Sequence, residues 1–356
     1  MSLVGFGRNL RKPLDIALTW EGNYWDDQDV HDCCDVDWET CEILVRKIAK
    51  AFLLPTAPID KIDNYEKILI FLPKLMQLPL AILAAYHAGF VSIIMNPLTC
   101  SSELLEEIVG TEKIKLLVTV DAVWQAQQLI EIKKNIENLR GMDQVQLLVL
   151  RHVAPNHGVP PPKKNYPARR PSYKTLLDLR DGRDWEWSTV MAGIQIDESD
   201  SENKEFAWKN DDVIMKLIDG QRKTHSLTKT HVLDALESRK LDLTAKFSEV
   251  SRSQVGIQNV MIMDEPSNLE NLVNLLVPWY MGKTLTLYEG PFDYPDSSRL
   301  AQIISKHNVN CLLGAGSNYS LPNPEYLKCF DFSTLQILDT PNFPEFSIYF
   351  AKHFSR

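Results

Sequence analysis

A repeated switch between two hydrophobic periods constrains this chain most. Between residues 67 and 150, four short apolar runs occur: KILIFLP (67–73), FVSIIMN (90–96), IKLLVTV (114–120) and VQLLVL (145–150). Segments with apolar residues at helical spacing separate them. A strand that is apolar on both sides needs both faces of its sheet covered, and the intervening helices supply that cover. Short connections between the two element types favour right-handed crossovers. The pattern therefore predicts an α/β fold with a mostly parallel sheet and helices on both faces.

Local signals place the remaining elements. LDIALTW (14–20) reads as a strand, and residues 37–53 read as a helix with Asp37 able to cap its start. Pro73 stops the strand before it, and Gly89 is placed to end a helix over 75–88. Ser101 opens a capping-box-like pattern over 101–113, and the spacing at 122–137 predicts another helix. Further along, strands are expected at 213–218, 284–290, 309–315 and 334–340. Helices are expected at 230–245, 268–281 and 296–308. A proline-rich loop over 153–172, carrying Lys163, Lys164, Arg169 and Arg170, divides the chain into subregions of about 14–152 and 173–345. It reads as a solvated connection.

Charge and cysteine usage narrow the function classes. The chain has 47 acidic and 38 basic side chains, a formal net charge of −9, which argues against a nucleic-acid or anionic-lipid partner. Its six cysteines include the adjacent pair Cys33 and Cys34 but no C-x-x-C spacing, so neither a zinc site nor a disulfide framework is expected. They read as reduced intracellular thiols. The N-terminal residues lack the continuous apolar core of a secretory signal. The apolar stretch at 78–95 contains His87 and Gly89 and reads as a core helix followed by a core strand, so no membrane span is expected. The cytoplasm is the expected compartment, with nucleus and mitochondrion left open.

Several phrases then occur together in one order. LTWEGN (18–23), ILIFLPKLMQLPLAILAAYHAGFVSIIM (68–95), RDWEW (183–187) and VPWYMGKTLTLYEGPFDYPDSSRLAQIISKHNVN (277–310) are the informative ones. They resemble, in order and spacing, segments of the acetyl-coenzyme A synthetases of the adenylate-forming (AMP-binding) superfamily. Pro278, Gly282, Tyr288, Glu289, Gly290, Tyr294, Pro295, Asp296, Arg299 and His307 all fall in step. The resemblance runs over roughly residues 14–345. It implies an acetyl-CoA synthetase-like N-terminal domain, with mostly parallel sheets flanked by helices in αβαβα layers.

The family joins a carboxylate to ATP and passes the acyl group to coenzyme A. Backbone N–H groups, a lysine and Mg²⁺ meet the charge on the phosphate in flight. Its phosphate loop, rich in Gly, Ser and Thr, falls here on Asp219, Gly220, Gln221, Arg222, Lys223, Thr224 and His225. The aligned glycines are lost, and β-carbons keep phosphate away from backbone amides. Arg222, Lys223 and His225 carry charge that attracts an anion, so weak nucleotide binding stays open. At the family's acyl pocket stand Ser267, Asn271, Gly314 and Ala315, and its coenzyme A contacts fall on Gln125 and Gln128. The adenine-binding phrase falls near LDTPNFPE (338–345). The chain stops at Arg356, before the family's magnesium-holding phrase and the C-terminal lobe that bears the adenylation lysine.

The resemblance thus implies a truncated, catalytically inactive relative, with no catalytic residue, metal or required cofactor. Its expected role is binding or regulatory, toward a protein partner, a nucleotide or an acyl ligand. An active acyl-CoA ligase stays open as the alternative. It would make acyl-CoA, AMP and pyrophosphate with ATP, CoA and Mg²⁺, and take its C-terminal lobe from elsewhere.

Overall fold

The computed structural model describes residues 10–23, 33–53, 66–154, 176–196, 205–250, 256–314 and 324–339. The first strands in chain order are β1 (Ile16–Glu21), β2 (Cys33–Asp37), β3 (Lys67–Ile70), β4 (Val91–Ile94) and β5 (Leu116–Val120). Next come β6 (Val123–Gln125), β7 (Gln128–Ile130), β8 (Gln146–Leu150), β9 (Asp184–Glu186), β10 (Val213–Ile218) and β11 (Thr224–Thr228). The last are β12 (Asn259–Ile262), β13 (Thr284–Tyr288), β14 (Cys311–Leu313) and β15 (Ile337–Asp339). The first helices are α1 (Trp38–Leu53), α2 (Gln77–Ala88), α3 (Ser102–Glu112), α4 (Ile132–Ile136) and α5 (Trp187–Gly193). They are followed by α6 (Lys229–Val250), α7 (Leu269–Tyr280), α8 (Arg299–Lys306) and α9 (Pro324–Leu327).

Two large sheets result. One runs β11-β10-β4-β3-β5-β8-β9 and is parallel except for the β10–β11 edge. The other runs β15-β14-β12-β13-β1-β2 and is parallel except for the β1–β2 edge. Each sheet takes strands from both sides of residues 153–172. Helices fill the space between the sheets. α1 lies against β1 and β2, α2 against β3 and β4, and the two helices pack on each other. α6 and α7 form a second pair, with α7 against β12 and β13.

The two-residue period of strands decides which side chains meet which layer. On β12, Val260 and Ile262 enter the shared core, while Met261 and the following Met263 face the opposite side with Leu300, Ile303 and Ile304 of α8. On β14, Cys311 and Leu313 face inward and Leu312 faces α8. This is the layered α/β architecture, mostly parallel sheets flanked by helices, that the alternation predicted.

The capping signals act where the sequence places them. Asp37 Oδ1 accepts from the Thr40 amide at 2.7 Å, and Ser101 Oγ accepts from the Leu104 amide at 3.2 Å. Gly89 ends α2 in the left-handed region, φ 87°, and a β-carbon there would stand 2.7 Å from the Phe206 ring. Segment 122–137 differs from expectation. Its first part is the β6–β7 hairpin, and only Ile132–Ile136 is helical. Ala126 at the hairpin tip has φ 52°, and Trp124 packs with Ala122 and Val153. Burial against the segment after β8 outweighs the helical spacing. Likewise Thr224 and His225, expected in a loop, begin β11 and pair with Ile218 and Leu217.

All six cysteines are free, Cys33 and Cys34 included. Among the described residues, no helix is long and apolar enough to cross a membrane, and no group of three or more His, Cys, Asp or Glu side chains is arranged to hold a metal. Ala315, the loop cations Lys163, Lys164, Arg169 and Arg170, and residues 340–345 of the LDTPNFPE phrase lie outside the described residues.

Candidate ligand-binding cleft

Parallel α/β sheets bind ligands beyond the carboxyl ends of their strands, where loops diverge. Here the ends of β3, β4, β12 and β13 surround one cavity of about 230 Å³. Lys74 reaches it from the loop after β3, Thr99 from the loop after β4, and Asp264 and Glu265 from the loop after β12. Glu289 and Gly290 reach it from the end of β13, and Gln125 from the β6–β7 hairpin.

Lys74 is 5% exposed, and its ammonium donates to the Met263 carbonyl at 2.6 Å. Burial pulls its pKa below the usual lysine value, although Glu265 and Asp264 act in the other direction. Burial pushes Glu265 up to about 7, against the opposing charge of Lys74. Glu265 Oε2 is enclosed with no hydrogen-bond partner. The cleft thus holds an amine and a carboxyl whose charged forms are both disfavoured by burial.

A rigid frame supports the cavity. Glu289 meets His152 Nε2 with both carboxylate oxygens, at 2.8 and 3.0 Å, and so joins the two sheets. Asp121 accepts from the amides of Ala122 at 2.7 Å, His152 at 2.9 Å and Ala154 at 2.6 Å. That single carboxylate holds the strand ends of β5 and β8 together.

Of the described residues singled out from sequence, Gln125, Glu289 and Gly290 line this cleft. Gln125 donates to the Glu289 carbonyl at 3.3 Å, while its strand partner Gln128 is exposed. Asn23 fixes the hairpin tip, donating to the Ala126 carbonyl at 3.0 Å and accepting from its amide at 3.3 Å. Gly220 abuts the Thr99 carbonyl, which a β-carbon would approach to 2.9 Å. Gly314, φ 108°, abuts Asp264, whose Oδ2 would lie 2.8 Å from such a β-carbon. Asn271 donates to the Glu265 carbonyl at 3.0 Å and lies 3.4 Å from Ser267 Oγ.

The turn at 219–223 is closed on itself. Asp219 Oδ1 accepts from the amides of Gln221 and Lys223, both at 2.9 Å. The Arg222 amide donates to the Asp219 carbonyl at 3.1 Å, and the Asp219 amide to the Lys223 carbonyl at 3.2 Å. Arg222 takes φ 67° and pairs with Glu107 of α3 at 3.1 Å. An internal carboxylate thus occupies backbone donors of the kind that bind phosphate elsewhere.

The phrases that carried the resemblance are mostly structural. Glu21 Oε1 accepts from Arg299 at 2.9 Å, and its Oε2 meets Lys306 at 2.7 Å and His307 at 2.9 Å. Asp296 Oδ1 accepts from the Ser298 amide at 2.7 Å, just ahead of α8. The Tyr288 hydroxyl donates to the Pro291 carbonyl at 3.0 Å. Sequence reading passed over Lys74 and Glu265. The signal available was a lone lysine inside the apolar stretch 68–95 and a second acid beside Asp264.

No protein-family profile matches the chain. Uncharacterized protein ZK112.6 of Caenorhabditis elegans is 68% identical over 136 residues, which are 38% of this chain and 91% of that protein. The acetyl-coenzyme A synthetase of Shewanella denitrificans is 22% identical over 315 residues, covering 84% of this chain but 41% of the synthetase. The acetoacetyl-CoA synthetase from Streptomyces lividans superposes with a TM-score of 0.67 at 15% identity, covering 99% of this chain and 49% of that one. The chain thus spans less than half the length of either synthetase. It belongs to one family with protein ZK112.6, and it has the acetyl-coenzyme A synthetase-like fold of the adenylate-forming proteins.

Proposed function

We propose that this chain is a binding or regulatory protein on an acetyl-CoA synthetase-like scaffold, and that it does not catalyse adenylation. The observation that carries the reading is the turn at 219–223. Asp219 takes the amides of Gln221 and Lys223, and its negative charge repels a polyphosphate at short range. Gln125 and Gln128 replace cationic coenzyme A contacts by neutral amides, which weakens any hold on that ligand's phosphates. Ser267 and Asn271 are drawn onto the Glu265 backbone and each other, in place of a wall for an acyl group. A cytoplasmic protein partner and a small ligand in the cleft fit this role.

The test is ATP–pyrophosphate exchange with acetate, propionate and longer acids, paired with thermal unfolding in ATP, AMP and coenzyme A. No exchange is expected. Sustained exchange with any acid overturns the reading. A ligand that binds only the folded state raises the melting point, so the thermal arm reports binding without turnover.

The coverage favours one second reading. The match takes in 84% of this chain but only 41% of the synthetase. An acyl-CoA ligase using ATP, Mg²⁺ and coenzyme A, completed by additional chain, is therefore the alternative. Exchange that appears only with the missing length supplied would support it.

A further inference from the structure

We propose that Lys74 is a nucleophilic amine that condenses with a small uncharged aldehyde or ketone in the cleft between the two sheets, forming an imine, with Glu265 moving the protons. The proposal concerns the cleft read above as a binding site. It does not depend on whether the chain turns over ATP, so lysine trapping and pyrophosphate exchange fail independently.

The placement of Lys74 supplies the first support. Lys74 lines the cavity and is buried, and its Nζ has the Met263 carbonyl as its hydrogen-bond acceptor at 2.6 Å. Burial disfavours its ammonium form. A desolvated lysine that spends time as the neutral amine is the form that attacks carbonyl carbon. Glu265 supplies the second support. Its enclosed Oε2 has no hydrogen-bond partner, and burial raises the carboxyl to about 7 against the Lys74 charge and a hydrogen bond from the Lys74 backbone, so it both gives and takes a proton near neutrality.

The cavity wall selects the ligand class. Asp264, Glu265 and Glu289 line it and disfavour an anionic carbonyl compound. Phe292, whose ring centroid is 5.0 Å from Lys74 Nζ, and Leu98 offer apolar contact to a short alkyl group. In the step itself, the Nζ lone pair forms a C–N bond as the carbonyl π pair moves to oxygen. That oxygen takes a proton from Glu265, and the nitrogen returns one. The hydroxyl then leaves as water with a second proton from Glu265, the nitrogen pair closes the C=N bond, and the iminium N–H returns its proton to Glu265. One amine and one carbonyl give one imine and one water, with no redox change.

The experiment is limited reductive trapping of the native full chain with propionaldehyde and cyanoborohydride at pH 7, followed by peptide mapping. Lys134, 71% exposed at its side chain, is the internal reference. Lys74 is expected to label at least about tenfold faster than Lys134, because an ordinary lysine is almost fully protonated at that pH. In urea the difference is expected to disappear. Glu265→Gln, which keeps the shape of the side chain, is expected to slow Lys74 labelling severalfold and leave Lys134 unchanged. A native Lys74 that stays unmodified, or labels no faster than Lys134, overturns the proposal. Undiminished Lys74 labelling in Glu265→Gln overturns the role given to Glu265.

Discussion

Glu21 and Arg299 stand 278 positions apart in the chain and 2.9 Å apart in the fold, both essentially without solvent contact. Burial alone would raise the Glu21 pKa, but the His307 hydrogen bond, Arg299 and Lys306 outweigh it and hold the group at about 2. Breaking a buried pair strands one uncompensated charge, so Glu21→Gln is expected to destabilise by about 3–5 kcal/mol. The pH dependence follows in sign. A carboxylate held below its unfolded value of 4.5 contributes stability that is complete above pH 4.5 and lost as pH falls toward 2. Urea unfolding at pH 7 and pH 3 checks both. A wild-type stability equal at the two pH values, or a variant equal to wild type, contradicts the assignment.

Gly290, at the heart of the phrase LYEGPFDYPD, is held by space. A β-carbon there would lie 2.4 Å from Asn23 Oδ1 and 2.5 Å from the Tyr288 hydroxyl. Asn23 also secures the β6–β7 tip, and Tyr288 is fully buried. Gly290→Ala is therefore expected to cost about 1–3 kcal/mol through forced displacement of these neighbours. An unchanged denaturation midpoint would show that the neighbours move at little cost.

Asp219→Gly removes the carboxylate that holds the amides of Gln221 and Lys223. The turn is exposed, so water replaces the bonds and the loss in stability is expected to be about 1 kcal/mol. The freed amides and the removed charge should let pyrophosphate raise the melting point of the variant more than that of wild type. Equal shifts in the two proteins would mean that Asp219 does not gate anion access.

Glu265 gives the opposite pH signature to Glu21. Its folded value, about 7, lies above the unfolded 4.5, so its contribution is complete below pH 4.5 and lost as pH rises through 7. Glu265→Gln should match wild type near pH 5 and exceed it at pH 8 by on the order of 1–3 kcal/mol. Urea midpoints at the two pH values read the difference. A variant less stable than wild type at pH 8 would place an ionised Glu265 in a favourable pair with Lys74.

The chain's own residue order determined most of the element types. Short apolar runs bounded by turn residues fit covered strands, and Asp37, Gly89 and Ser101 act at helix ends through bonds or backbone angles that reach no further than a few residues. Tertiary structure alone decided the rest. It turned the helix expected at 122–137 into a hairpin, because Trp124 gains more from Ala122 and Val153 than from its own turn of helix. It gathered Lys74, Glu265, Gln125 and Gly290 from loops far apart in sequence around one cavity. It also gave Glu21 and Arg299 each other as partners. Such groupings depend on strand order and burial, and burial sets whether a lysine or a carboxyl keeps its charge, which no local spacing encodes.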